Sequence, residues 1–209
     1  MPKQTFLNLP AEKRQAFTHI ALEEFASHDY NTASVSKIVA RAGIAKGSVY
    51  QYFDDKQDLF LYLLEVSNRA MLGYLQQTAP PDPQGGFFAR LRWQMSATIR
   101  AARKYPVHAR LARRAYTAAL PFRETVLEQA KRLSQEHFQA MVVQAQAAGE
   151  LDPGLDPAVV TFMVQGLMND LGPFLQSRFG EQDEDWAERP EVGEVFDQVI
   201  AVLKRGLEA

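Results

Sequence analysis

The apolar positions of this chain recur at three- and four-residue intervals in segment after segment, the period of helices with one buried face. Phe17, Ile20, Ala21 and Phe25 form one such stripe. It follows Pro10, a residue suited to a first helical turn because its missing N–H costs nothing there. Residues 1–9 read as a mobile arm. Val35, Ile38, Val39 and Ala42 repeat the pattern behind Ser34, an N-cap candidate. Gly43 stands where a helix can end in a left-handed residue. Ile44 restarts the pattern, and Val49 and Phe53 continue a buried side, leaving Lys46, Gly47, Ser48, Tyr50 and Tyr52 outward. Helix, glycine turn, short helix with a small and polar outer face: the pattern predicts a helix-turn-helix.

Asp54 or Asp55 can cap a longer helix lined by Leu59, Leu63, Val66 and Ala70. The run APPDPQGG over 79–86 cannot continue it. This predicts a domain boundary, with a helix-turn-helix part over 1–55 (its linking helix reaching about 78) and a second part over 79–209. Further helices are predicted from Phe87 to Tyr105, ended by Pro106, from Phe122 to about Ala148, from Ala158 to Phe179 and from Val192 to Leu207. Pro173 predicts a kink or break near Leu171–Gly172. The expected fold class is all-α: an N-terminal three-helix helix-turn-helix domain plus a larger C-terminal helical domain.

Composition narrows the function. At 209 residues and 46% hydrophobic, the chain can bury a sizeable core in one or two helical domains. A formal charge of −2 excludes coating nucleic acid by bulk positive charge, although a specific reader needs only local cations. The absence of cysteine excludes disulfides, thiolate chemistry and zinc fingers. Without an H-E-x-x-H or H-x-x-x-H pair or a Gly-rich phosphate loop, no enzyme activity, metal site or cofactor is expected. The start MPKQTFLNLP lacks a signal-peptide core, and no later run reads as long and apolar enough to span a bilayer. A cytoplasmic chain without a membrane partner is expected. His19 and His28 read as surface or cap residues. His137 lies in the stripe Val126, Leu127, Ala130, Leu133, Phe138, Met141, Val142 and reads as a hydrogen-bonded core residue.

The second short helix carries the functional signal. A recognition helix enters a major groove about 12 Å wide, and small residues near its start let the backbone approach the bases. Ala45, Gly47 and Ser48 meet that need, and Lys46 can donate to guanine or phosphate. Thr32 and Ser34 sit where hydroxyls and helix N–H groups can hold a phosphate, a role compatible with capping. A helical hairpin inside an ordinary core is the plain alternative.

The run SVSKIVARAGIAKGSVYQYFDDKQDLF resembles the DNA-binding signature of the TetR family of transcriptional regulators. The resemblance covers roughly Glu12 to Leu64, including Ala42-Gly43-Ile44, Lys46 to Tyr50, Tyr52-Phe53 and Lys56 with Leu59. It implies DNA contacts from Thr32, Ser34, Ser36, Lys37, Ala45, Lys46, Gly47, Ser48, Tyr50, Gln51, Tyr52 and Lys56, the last as a phosphate-binding lysine. It further implies a homodimer through the last two long helices, with Val159, Phe162, Met163, Phe196, Val199 and Leu203 at the interface. The function it implies is a ligand-responsive regulator, expected to be a repressor released from a palindromic operator by a small effector. A helical lipid-binding scaffold that leaves its helix-turn-helix unused is the rival.

For the effector, Trp93, Met95, Tyr116, Phe122, Phe138, Met141, Phe162, Met163, Met168 and Phe174 are large, deformable groups able to line a cavity. As a set they suggest an apolar ligand, such as a fatty acyl compound, a hydrophobic drug or an aromatic metabolite. Arg90, Arg92, Arg100, Arg103, Lys104, Arg110, Arg113 and Arg114 form a basic zone without an intervening acid. It reads as a solvated face neutralised by the acidic run from Glu181 to Glu188, as an anion-binding wall, or as a second DNA contact.

Overall fold

The computed structural model describes residues 2–78, 80, 85–180 and 189–208, with all side chains except those of residues 127 and 129–135. The acidic run 181–188 and most of the 79–86 break, and with them their proposed roles, lie outside the described residues, as do the side chains of Leu127, Ala130 and Leu133. Among the described residues the regular elements are helices. These are α1 (Gln4–Leu7), α2 (Ala11–Ser27), α3 (Val35–Arg41), α4 (Lys46–Tyr52), α5 (Lys56–Gln77), α6 (Phe87–Lys104), α7 (Pro106–Thr117), α8 (Arg123–Ala147), α9 (Pro157–Phe179) and α10 (Pro190–Leu207).

The helices group into two compact units. One comprises Met1–Tyr74 and Ala102–Glu128, the other Leu75–Ala101 and Gln129–Ala209. This packing groups the chain differently from a single cut near residue 79. The reason is apolar: Leu111, Ala115, Leu120, Phe122 and Val126 bury into the same cluster as Phe17, Phe25, Ile38, Phe53 and Phe60. Helix α7 is not among the elements expected from sequence, where Pro106 reads only as a terminator. It is also the N1 residue of the next helix, the position where proline fits best.

The first unit corrects a second expectation. Within the stretch expected to be a mobile arm, residues 2–9 are instead held in place, for α1 docks on α4 with Phe6 fully buried. In the second unit, Phe87, Leu91, Met95, Val142, Leu151, Val164, Leu175 and Phe196 form a separate core. Helix α9 runs unbroken through Pro173. The carbonyl that proline leaves without a partner belongs to Asn169, and both residues are exposed, so water can satisfy it. Contrary to expectation, α9 does reach the length and mean hydropathy (1.2) of a membrane span. Val160, Thr161, Val164, Leu171 and Leu175 form its buried side, while Val159, Phe162, Met163 and Phe174 remain exposed.

Gly43 links α3 to α4 with φ +65°, and a Cβ there would meet nothing within 4 Å. Its cost of substitution is therefore backbone strain alone. Gly43→Ala is expected to destabilise the first unit by about 1–2 kcal/mol, and Gly43→Asn by less, since asparagine tolerates this region. Urea unfolding of the three proteins checks the order.

Candidate nucleic-acid interface

Local chemistry fixes α3 at both ends. The Ser34 hydroxyl accepts from Lys37 N at 3.3 Å, and the Ser34 N–H donates to the buried Glu24 carboxylate at 2.9 Å. The Ser34 O–H is left as a donor for a partner. Thr32 is exposed, its hydroxyl donating to Asp29 O at 3.1 Å. Arg41 in the last turn of α3 pairs with Glu23, whose carboxyl is held below its usual range by that guanidinium hydrogen bond. Ser36 and Lys37 point to solvent.

Helix α4 buries Val49 and is followed by the fully buried Phe53. Ala45, Lys46, Gly47, Tyr50 and Gln51 are exposed, and Ser48 is half-buried. Tyr52 is the exception among the outward residues named from sequence. Its ring packs 5.6 Å from Phe6 and 6.2 Å from Phe17, so its body serves the core. The signal missed was Phe6, which comes from α1 and supplies an apolar partner that helical spacing within α4 does not reveal.

Lys56, at the start of α5, lies 4.8 Å above the Tyr30 ring and donates to Asn31 O at 3.3 Å. Burial lowers its pKa, with Glu24 acting against that shift. The ammonium thus sits at the turn that leads into α3. Burial, reinforced by Asp55, raises the Tyr30 phenol. Asp55 caps α5, its Oδ1 accepting from Asp58 N at 2.8 Å, and Asp58 Oδ2 accepts from Asp54 N at 3.2 Å just ahead of the cap.

Known proteins share this geometry. The family model described as bacterial regulatory proteins, tetR family, matches residues 18–63, from α2 into α5. A TetR family transcriptional regulator of Chloroflexus aurantiacus is 36% identical, with 100% of this chain and 99% of that one aligned at a TM-score of 0.79. The chain belongs to the TetR family. A curated relative, the HTH-type transcriptional regulator AcrR of Shigella flexneri, is 34% identical over 76 residues, and the match spans only 34% of this chain and 35% of that regulator. The regulator FadR of Bacillus subtilis, solved in complex with stearoyl-CoA, shares the fold at 18% identity and a TM-score of 0.70, over 92% of this chain and 98% of that one.

The effector residues named from sequence are divided between the two compact units of this TetR-family chain. Tyr116 and Phe122 belong to the first unit, Tyr116 donating to Asn68 at 3.3 Å and Phe122 packing 4.8 Å from Tyr30. Met95, Phe138 and Met141 are closed core of the second unit, with Met168 packed against them and Trp93 half-buried. Phe162, Met163 and Phe174 are exposed. An open cleft of 520 Å³ lies elsewhere in that unit, lined by residues including Phe88, Arg92, Glu150 and Lys204.

Of the interface residues, Val159, Phe162 and Met163 form an exposed apolar strip on α9, Phe162 being 74% exposed. On α10, Phe196 is instead buried at 4%, and Val199 and Leu203 pack half-buried on the same core. Val202, 63% exposed, is the apolar side chain that α10 presents outward. His137 is likewise not core; it is exposed and shares a hydrogen bond with Gln94 at 3.3 Å. Within the basic zone, Arg92 pairs with Asp197 and Arg114 with Asp29, acids outside the 181–188 run.

The cap of α3 can be tested by substitution. Ser34→Ala should cost about 1 kcal/mol of stability, and Ser34→Asn should restore most of it because asparagine caps as well as serine. Thermal unfolding of the two variants measures the difference.

Proposed function

We propose that this TetR-family chain is a homodimeric repressor that reads a pseudo-palindromic operator through α4 and leaves it when a small apolar effector binds. The observation that carries the reading is Gly47. It stands exposed in the second position of a seven-residue helix, with ordinary helical φ and nothing within 4 Å of where a Cβ would lie. Neither backbone strain nor packing calls for glycine there, and it costs the helix about 1 kcal/mol against alanine. A surface that must let another molecule's atoms approach the backbone accounts for it. Lys46, Ser48, Tyr50 and Gln51 flank it as donors and acceptors for bases and phosphates, with Thr32, Ser34, Ser36, Lys37 and Ala45 beside them. Lys56 supports the same surface from the turn it braces.

One seven-residue helix makes few base contacts, and two in a dimer read successive half-sites. The exposed strip Val159, Phe162, Met163 supports a second copy as its cover, with Val202 in place of the buried Phe196. The effector reading rests on the apolar, deformable side chains of the second unit, foremost Trp93, Met95, Phe138, Met141 and Met168, which a ligand would part on entry. A fatty acyl compound is the class we favour, in keeping with the stearoyl-CoA held by the FadR of the same fold. Such a ligand releases DNA only if it binds the DNA-free arrangement better. Helices α5, α6 and α8 each run from one compact unit into the other, a continuous route for that coupling.

Selection from random duplex DNA should enrich a palindrome, and stearoyl-CoA should reduce its recovery. Against the enriched sequence, Gly47→Ala should bind at least about tenfold more weakly while unfolding at a higher urea concentration, a gain of up to ~1 kcal/mol. Lys46→Ala should alter the preferred sequence, whereas Lys56→Ala should weaken all sequences alike. A Gly47→Ala protein that binds as well as the parent would remove the main support for this reading.

The second copy is tested separately. Phe162→Glu should shift the protein from dimer to monomer in sedimentation and abolish operator binding at the same concentration. A parent chain that sediments as a monomer would sink the dimer.

A further inference from the structure

The last carbonyls of a helix have no partner within it, and in α4 three successive ones are taken by one short segment at the N-terminus. Tyr50 O accepts from Lys3 Nζ at 2.9 Å, Gln51 O from the Thr5 hydroxyl, and Tyr52 O from Lys3 N at 2.8 Å. The Lys3 ammonium also pairs with Asp54 at 2.8 Å, holding that carboxyl below its usual range. A cation at this place further suits the negative end of the helix dipole. Next to these donors Phe6 is driven fully into the core, its ring 4.9 Å from Phe53, 5.4 Å from Tyr62, 5.6 Å from Tyr52 and 5.7 Å from Phe17. Arg14 of α2 in turn donates to Leu7 O at 2.7 Å, closing the far end of the segment.

We infer that residues 3–8 form a positioning element for DNA reading: a C-terminal cap for α4, supplied from outside the helix-turn-helix and anchored by Phe6. The inference rests on α4 being the recognition helix. A four-residue helix such as α1 has no stability of its own. Its order comes from this docking, and in return it fixes the end of α4 that α4 cannot satisfy itself. None of the three donors needs to touch DNA for the segment to govern affinity.

Two measurements on the full-length chain test it. In hydrogen exchange without DNA, Phe6→Ala and the double variant Lys3→Met, Thr5→Val should each speed exchange of the α4 amides at Val49 to Phe53 by about tenfold or more, the scale expected for 1.4 kcal/mol. The α3 amides of Ile38 and Val39 should stay unchanged, and Phe6→Leu should restore most of the protection. On the enriched operator, the same variants should bind about tenfold more weakly with an unaltered slope of log affinity against log salt. A slope reduced by about 1 in Lys3→Met would mean that Lys3 neutralises a phosphate directly, which overturns its assignment as a cap. Unchanged exchange in α4 overturns the cap itself. If the parent chain selects no DNA sequence, the repressor reading fails, and the exchange experiment still decides whether residues 3–8 hold α4.

Discussion

A helix of seven residues cannot hold itself together in water. Isolated helices shorter than about 12–15 residues are marginal even with favourable sequences, so the placement of α4 must come from outside it. The aromatic group Phe6, Phe17, Tyr52, Phe53 and Tyr62 supplies that placement. It gathers α1, α2, α4 and α5 around one point, with Phe6 and Phe53 fully excluded from water. Edge and tilted ring contacts are directional as well as apolar, which suits a group whose task is to aim a short helix. Everything outward on α4 depends on it. The exposed Lys46, Gly47, Tyr50 and Gln51 are held in register by aromatic rings turned into the core.

The rest of the first unit repeats the principle with different chemistry. Glu24, 5% exposed on α2, reaches the N–H of Ser34 and so ties the start of α3 to the helix behind it. Lys56 spans from α5 to the Tyr30 ring and the Asn31 carbonyl. Arg114 of α7 donates to Ala26 O at 3.0 Å and to Asp29 at 2.6 Å in the turn between α2 and α3. That turn is thus gripped from α5 and α7 at once. A displacement of either helix has a hydrogen-bonded path to the start of α3, which gives a regulator of this family a physical means of altering its grip on DNA.

Much of this was legible in the sequence, because it follows from local rules. Ser34, Gly43 and the Val35-Ile38-Val39 stripe specify α3 and its turn through capping, left-handed geometry and helical period, all decided within a few residues. Elements that rest on distant partners were not legible. Residues 3–8 carry one buried anchor and no period, so distant partners, the aromatic group around Phe6 and the last carbonyls of α4, explain why they are ordered. Tyr52 reads as outward on its own helix and turns inward because Phe6 arrives from elsewhere. Phe122 and Tyr116 look like any aromatic residues of an effector domain, and only tertiary packing assigns them to the first unit. On α10, period alone names Phe196 as an apolar face without saying which neighbour covers it.

The first unit is sewn from two stretches of chain that are separated by residues 75–101. Synthesis on the ribosome must therefore proceed to about Val126 before Leu111, Ala115, Leu120 and Phe122 can reach the core that α2 and α5 have left open. Until then the nascent N-terminal half displays Phe25 and Phe60 without their final cover, and chaperones have a natural target in that interval. The same interlacing makes the DNA-reading half a poor candidate for exchange between proteins as a ready-made block. A recombination event at the proline-rich break would carry off the sequence motif and leave part of its foundation behind.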